Sequence, residues 1–358
     1  MKFKESTLKE YAAPLSETEN QKCLNAIGMV RDALKDLGFT DYGTPITPLY
    51  SDTYAYALEM RSTTADRKIK LFIQGSYANN TNVRTQSDVD IAVVQEDIFR
   101  TEYRNSTIYP QSDSDYGFTP GSSSAQTFKD EVQQCLTRKF GRDVERKNKS
   151  IKVHGNTYRK DADTVPCRRY RDYRNDYLQD QSNYVGGIVI YPDEGGMIIN
   201  YPEQHIANGR KKNNDTHHYY KKMVRIMKKM RYLMSDAGIA CAEKVSSFGL
   251  ESLLWNVPDD EFTQYSLYGF TFEKLLRYLY LNTSSFSSYT VALQSALTPD
   301  RSRLRVDEMF FLKPMDILHD RIFRFTNRFS NGFIGGIALV SFTILTPHQV
   351  SIGSDLTC

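Results

Sequence analysis

Two aspartates one residue apart, Asp88 and Asp90, open a Val/Ile-rich run that continues Ile91-Ala92-Val93-Val94. Side chains alternate along a strand, so both carboxylates share one face while Val89 and Ile91 take the other. Carboxylates aimed together repel unless a cation lies between them. Where phosphates are also handled the usual cation is Mg²⁺, which takes one or two carboxylates and fills its octahedron with phosphate oxygens and water. Upstream, the apolar run Leu71-Phe72-Ile73 predicts a buried strand running into Gln74-Gly75-Ser76. Glycine lets the backbone approach an anion, the amides of Gly75 and Ser76 can donate to it, and the Ser76 hydroxyl adds a donor. A bare Gly-Ser step, or a bare Asp-x-Asp, belongs to ordinary hairpins with solvated acids. The ordered set of strand, Gly-Ser, Asn/Thr-rich connection and Asp-x-Asp on a second strand is far more specific for a metal-assisted phosphate site.

A third carboxylate is expected from a hairpin formed by Ser150 to Val153, a turn at His154-Gly155-Asn156, and a strand from Thr157 to Cys167. Pro166 is expected to end that strand. Of its two acids, Asp163 is assigned to the same metals, and Asp161 is a solvated charge at the strand mouth. His205 has no ligand partner at useful spacing and is assigned a hydrogen-bonding role. His217 and His218, adjacent on a helix, diverge and make no metal site.

The surrounding elements follow from periodicity. Ser16 with Glu19 makes a capping box, and Leu24, Ile27, Val30, Leu34 and Leu37 then recur at helical spacing up to Gly38, a spine helix behind the sheet. A helix is expected near Asp52 to Thr63, a mobile surface loop from Arg104 to Ser124, and a helix from Gln126 to Gly141. Ile188 to Tyr191 and Met197 to Asn200 flank a second hairpin. Asp215 is expected to cap a helix reaching Met234, with Tyr219, Met223, Met227 and Met230 inward. Lys221, Lys222, Arg225, Lys228, Lys229 and Arg231 form its mostly solvated basic side, with one or two left to reach a triphosphate. Helices at Leu250 to Trp255 and Thr271 to Leu281 complete an α+β chain whose last third is mainly helical.

With 358 residues, 40% apolar, including 24 Tyr and 19 Phe, the chain can bury a substantial core. A net charge of +3 does not by itself indicate a nucleic-acid partner. Five scattered cysteines, with no Cys-x-x-Cys pair, argue against a zinc ribbon or a disulfide framework and fit a reducing cytoplasm. The N-terminal segment MKFKESTLKEY has no apolar core of signal-peptide length. Gly332 to Leu345 is apolar and contains Gly-x-x-x-Gly, but is shorter than a membrane span and interrupted by Ser and Thr, so no firm membrane association is expected.

The chain resembles the cGAS/DncV-like nucleotidyltransferases (CD-NTases), within the polymerase-β-like superfamily. The resemblance is carried by Gln74-Gly75-Ser76-Tyr77, Asn79 to Arg84, Ser87-Asp88-Val89-Asp90, Ala162-Asp163-Thr164-Val165-Pro166-Cys167, Asn200-Tyr201-Pro202-Glu203-Gln204-His205 with Asn208-Gly209, Val224 to Lys228, and Ser247-Phe248 through Glu251 to Pro258. It implies a bilobal enzyme: a nucleotidyltransferase core over 1–205, a helical lobe over 206–330, and an atypical apolar tail over 331–358 that departs from the family pattern. It implies a pair of Mg²⁺ ions, with Mn²⁺ as the alternative, on Asp88, Asp90 and Asp163. Gln74, Gly75, Ser76, Lys228 and Ser247 would hold the donor nucleotide's phosphates, and Phe248 would stack on a base. The reaction implied joins NTPs (ATP, GTP or pyrimidine NTPs) into a cyclic di- or trinucleotide second messenger, releasing pyrophosphate. The product would act through a separate effector in anti-phage (CBASS) defence, with no stable nucleic-acid partner. Two other readings stand beside it: transfer of NMP to an RNA, protein or small-molecule acceptor, and a catalytically silent nucleotide-binding module.

Overall fold

A computed structural model describes residues 3–282 apart from 49, 51–52, 85–87, 105–110, 122–123, 240–241 and 244. The 331–358 tail, the end of the expected helical lobe, Ser87, Cys241 and Cys358 lie outside the described residues.

A short helix α1 (Glu5–Ala12) precedes the spine helix α2 (Glu17–Leu34). Ser16 and Glu19 form the expected capping box, and α2 buries Cys23, Ala26, Ile27, Val30, Ala33 and Leu34. Gly38, in the left-handed region, turns the chain into β1 (Phe39–Pro48). Next come β2 (Tyr56–Ser62), β3 (Lys68–Gln74), the single-turn α3 (Gly75–Ala78) and β4 (Val89–Glu102). The helix expected near Asp52 to Thr63 is therefore wrong. Tyr56, Leu58 and Met60 are buried at period two, and β2 pairs with β1 on one side and β3 on the other.

Helix α4 (Ala125–Phe140) starts on a Ser124 cap and leads to β5 (Val144–Arg146), β6 (Ile151–Val153) and β7 (Ala162–Asp172). β8 (Val185–Ile190) and β9 (Ile198–Asn200) make the second hairpin. The strand order is β1-β2-β3-β4-β7-β6-β5, with β8 also on β7; β4 and β7 run parallel, and the other pairings among the described residues are antiparallel. Pro166 does not end β7. β6 reaches only Thr164 and β8 begins at Cys167, so the proline occupies a gap between these two partners, where its missing N–H costs no ladder bond on that side. The expected mobile loop is also packed where it is described: Tyr116 is buried, its ring 4.4 Å from that of Tyr173 and its hydroxyl donating to Asp176 at 2.7 Å.

α5 (Pro202–Asp215), α6 (Tyr220–Asp236), α7 (Ser247–Asn256), α8 (Asp260–Thr263) and α9 (Tyr268–Leu281) follow. Asp215 closes α5 and does not cap α6; a turn through His217 and His218, both at positive φ, separates the helices. Met223, Met227 and Met230 face the core as expected. The solvated basic side does not exist as expected: Lys221, Arg225 and Lys228 are buried at 4%, 5% and 2% exposure. One apolar core joins the sheet to α2 and α4; the second joins α6, α7 and α9 and takes in Leu8 and Ala12 of α1. The first helix thus packs in the second core. Among the described residues no helix is long and apolar enough to cross a membrane.

Candidate active site

The buried run Leu71-Phe72-Ile73 anchors the end of β3, and Gln74 caps α3 with no side-chain hydrogen bond to its amides. Gly75 has φ +71°, and a Cβ there would lie 2.1 Å from Asp90 Oδ2. Only glycine lets this carboxylate lie so close to the backbone. Asp90 is the register partner of Gln74 on β3 and of Asp163 on β7. Asp88 stands immediately before β4, and strand alternation gives it the face of Asp90.

Lys152, opposite Asp163 on β6, bridges the acids at the mouth, 3.1 Å from Asp88 Oδ2 and 2.6 Å from Asp161 Oδ2. Asp161 is therefore not a solvated charge. It also accepts from the Gly155 amide at 2.5 Å, and although burial pushes its pKa up, Lys152 and this amide bring it below the ordinary value. Asp163 accepts from Ser150 Oγ at 3.5 Å. Burial, then Asp163 and Asp88, push Asp90 up to about 7 against a partial offset from Lys228. Burial raises Asp163 as well, with Asp88 adding to it and Lys152 opposing. Such a crowd of acids favours a proton or a cation.

Among the described residues, no three His, Cys, Asp or Glu side chains are gathered tightly enough to hold a metal ion as they stand. The donor chemistry nevertheless fits a hard divalent ion, since Asp88, Asp90 and Asp163 offer only carboxylate oxygens and mutual repulsion.

The helical side contributes Lys228, Ser247 and Phe248. Lys228 Nζ donates to Glu251 Oε2 at 2.8 Å and to Thr81 O and Oγ1 at 3.2 Å each, which occupies its three hydrogens. Ser247 lies in the first turn of α7, its Oγ 3.5 Å from the Tyr232 hydroxyl. Phe248 is 48% exposed and stands edge-on to His205 at 5.2 Å. His205 has the hydrogen-bonding role expected of it, reaching Asn79 and Glu251. Lys152, Thr81 and Glu251 were not singled out from sequence. Glu251 left one signal, an acid beside Leu250 and Leu254 on the buried side of α7.

A mixed sheet carrying adjacent acids beside a Gly-Ser corner, with a helical lobe attached, is the α+β architecture of a polymerase-β-like nucleotidyltransferase. Residues 207–297 match the cGAS/DncV-like nucleotidyltransferase C-terminal helical domain. The chain is 46% identical over 291 residues to a cyclic GMP-AMP synthase, CdnE03, of Staphylococcus schleiferi, covering 81% of this chain and 88% of that one. It is 38% identical over 288 residues to a cyclic dipyrimidine nucleotide synthase, CdnE, of Cecembia lonarensis, covering 80% and 86%. Among solved structures it is similar to the CdnE cyclic dinucleotide synthase of Elizabethkingia meningoseptica with GTP and Apcpp, with a TM-score of 0.60 and 31% identity over 87% of this chain and 97% of that one. The chain belongs to the cGAS/DncV-like nucleotidyltransferases. It is thus an enzyme of the class that makes cyclic oligonucleotide second messengers.

Proposed function

We propose that this chain joins NTPs into a cyclic di- or trinucleotide, releasing pyrophosphate at each step, and that the product activates a separate effector in anti-phage defence. The observation that carries the site assignment is the side-by-side register of Asp90 and Asp163 next to Gly75. In this reading the core lobe is 1–205 and the helical lobe 206–330, with α1 packed into the second core.

Asp88, Asp90 and Asp163 would hold Mg²⁺ or Mn²⁺ through their carboxylate oxygens. When bound, a pair of such ions acidifies the attacking hydroxyl and neutralises charge on the departing pyrophosphate. The chain's own groups do the rest. A ribose hydroxyl oxygen forms a bond to the donor α-phosphorus while the bond to pyrophosphate breaks, and the hydroxyl proton passes to Asp163. The raised pKa of Asp163 suits it to that transfer. Amides at Gln74, Gly75 and Ser76 hold the donor phosphates where negative charge grows. Ser247 adds a hydroxyl donor, and Phe248 presents an exposed ring for a base. Lys228 acts on the phosphates through its charge, from behind Thr81.

Incubation with labelled NTPs and Mg²⁺, followed by phosphatase and mass spectrometry, tests this reading. A phosphatase-resistant cyclic nucleotide is expected. Label found only on added RNA or protein overturns it.

A further inference from the structure

We propose that Glu251 and His205 are positioning residues that fix the Gly75–Ser76 corner to the helical side of the molecule. The inference deepens the nucleotidyl-transfer reading above and rests on it.

Three helices, α5, α6 and α7, each supply one polar side chain to a continuous, largely buried chain of hydrogen bonds that ends on α3. Lys228 of α6 pairs with Glu251 of α7 at 2.8 Å, and both are almost fully buried. The Thr81 hydroxyl, from the connection after α3, also donates to Glu251 Oε2 at 2.8 Å. The other oxygen, Oε1, lies 3.1 Å from His205 Nε2 of α5. His205 Nδ1 lies 3.2 Å from Asn79 Nδ2, and Asn79 Nδ2 donates to the Gly75 carbonyl at 3.1 Å.

The roles along the chain are decided by its ends. The Gly75 carbonyl only accepts, so the side of the Asn79 amide facing it is the NH₂. That NH₂ also faces His205 Nδ1, which must accept, leaving the ring proton on Nε2 to donate to Glu251. A neutral histidine thus relays one polarity from an anionic Glu251 to the corner. Asn79 is completely buried, and its Oδ1 has no hydrogen-bond partner. A Cβ on Gly209 of α5 would lie 3.1 Å from that oxygen, so a larger residue there would crowd Asn79.

The site residues from Gly75 to Asp90 therefore depend on a contact whose far end is a helix pair of the second core. Displacing the corner by even 1 Å would misalign donor phosphates and attacking hydroxyl, a cost of about 10²-fold in rate.

The test uses the full chain with His205→Ala, His205→Gln, which can keep a donor near the Nε2 position, and Glu251→Gln, with Asp90→Asn as reference. Steady-state product formation is measured beside hydrogen exchange of the 75–81 amides. His205→Ala and Glu251→Gln are expected to lower kcat at least about tenfold with KM changed less, and to speed exchange at 75–81 but not in β4. His205→Gln should recover part of both. Exchange at 75–81 unchanged in a folded His205→Ala protein overturns the proposal, as does wild-type kcat in that variant while Asp90→Asn is inactive. Full activity in Asp90→Asn would instead overturn the nucleotidyl-transfer site itself, and the exchange measurement would still decide the positioning role. If Glu251→Gln does not fold, the two His205 variants decide alone.

Discussion

Asp90 of β4 and Asp163 of β7 are partners in the parallel pairing of their strands, which sets their backbones at the strand spacing of about 4.8 Å. Their side chains share a face; beyond the effect of burial, Asp163 and Asp88 raise the cost of ionising Asp90, and Asp88 raises that of Asp163. The sheet thus holds together charges that water would separate, and the obvious use of that arrangement is to bind a cation.

Removing one acid should remove that binding. With Mg²⁺ at about 100 times its Kd, the wild-type protein should gain about 2.7 kcal/mol of stability, visible as a rise in Tm. Asp90→Asn and Asp163→Asn should lose most of that rise while melting cooperatively without metal. Asp163→Asn should also lower kcat by about 10²–10⁴-fold, the range for a lost proton acceptor. An unchanged Mg²⁺-dependent Tm in both variants contradicts the assignment.

Gly75→Ala tests the close approach directly. Its left-handed backbone makes the substitution cost about 1–2 kcal/mol, and its Cβ collides with Asp90 Oδ2. Activity should fall by about 10²-fold. Gly28→Ala, where an added Cβ meets nothing within 4 Å, should remain active. Equal activity of the two variants would show that Asp90 is not constrained by the corner.

Glu251 should reveal itself in acid. Burial opposes its charge, but Lys228 and His205 outweigh this and hold its pKa well below the ordinary 4.5. A depressed folded-state pKa stabilises the fold above about pH 4.5, and that stability is lost as pH falls towards the folded value. Urea midpoints of wild type and Glu251→Gln should therefore lie farthest apart at pH 7 and draw steadily together as pH falls below about 4.5. A gap independent of pH would mean that Glu251 carries no charge in the fold.

Phe248→Ala should raise the KM for the stacked nucleotide and leave Tm unchanged, because the ring is half exposed. Loss of one base stack costs about 1–3 kcal/mol, or roughly 5–150-fold in KM. An unaltered KM for every NTP removes Phe248 from the site.

Arg225 should matter for stability. Its guanidinium donates to the carbonyls of Ala12, at the end of α1, and Asn80, after α3. Arg225→Met leaves both carbonyls without that donor, at about 1–3 kcal/mol each. Chemical denaturation should show this loss, and a change within 0.5 kcal/mol would refute it.

Much of the local chemistry was legible in residue order. The Ser16–Glu19 box, the Gly-Ser corner and the Asp-x-Asp strand each depend on neighbours a few positions away, where backbone geometry alone dictates the outcome. Beyond that range residue order alone misleads. Residues 56–62 carry a period-two pattern that only two flanking strands make decisive. Pro166 is tolerated because two partner strands stop on either side of it, a fact of registry invisible in the chain itself.

By itself, the sequence determined the kind of chemistry: acids at strand spacing and a glycine where a phosphate needs room. Tertiary structure alone decided which charges are spent and which are left for a ligand. By helical spacing alone Lys228 is one cation among six on a basic helix until α7 brings Glu251 against it, and Asp161 looks solvated until β6 brings Lys152 across. The reason is physical. A side chain's charge is worth little in water and a great deal when buried, and burial belongs to the packed chain rather than to any residue within it.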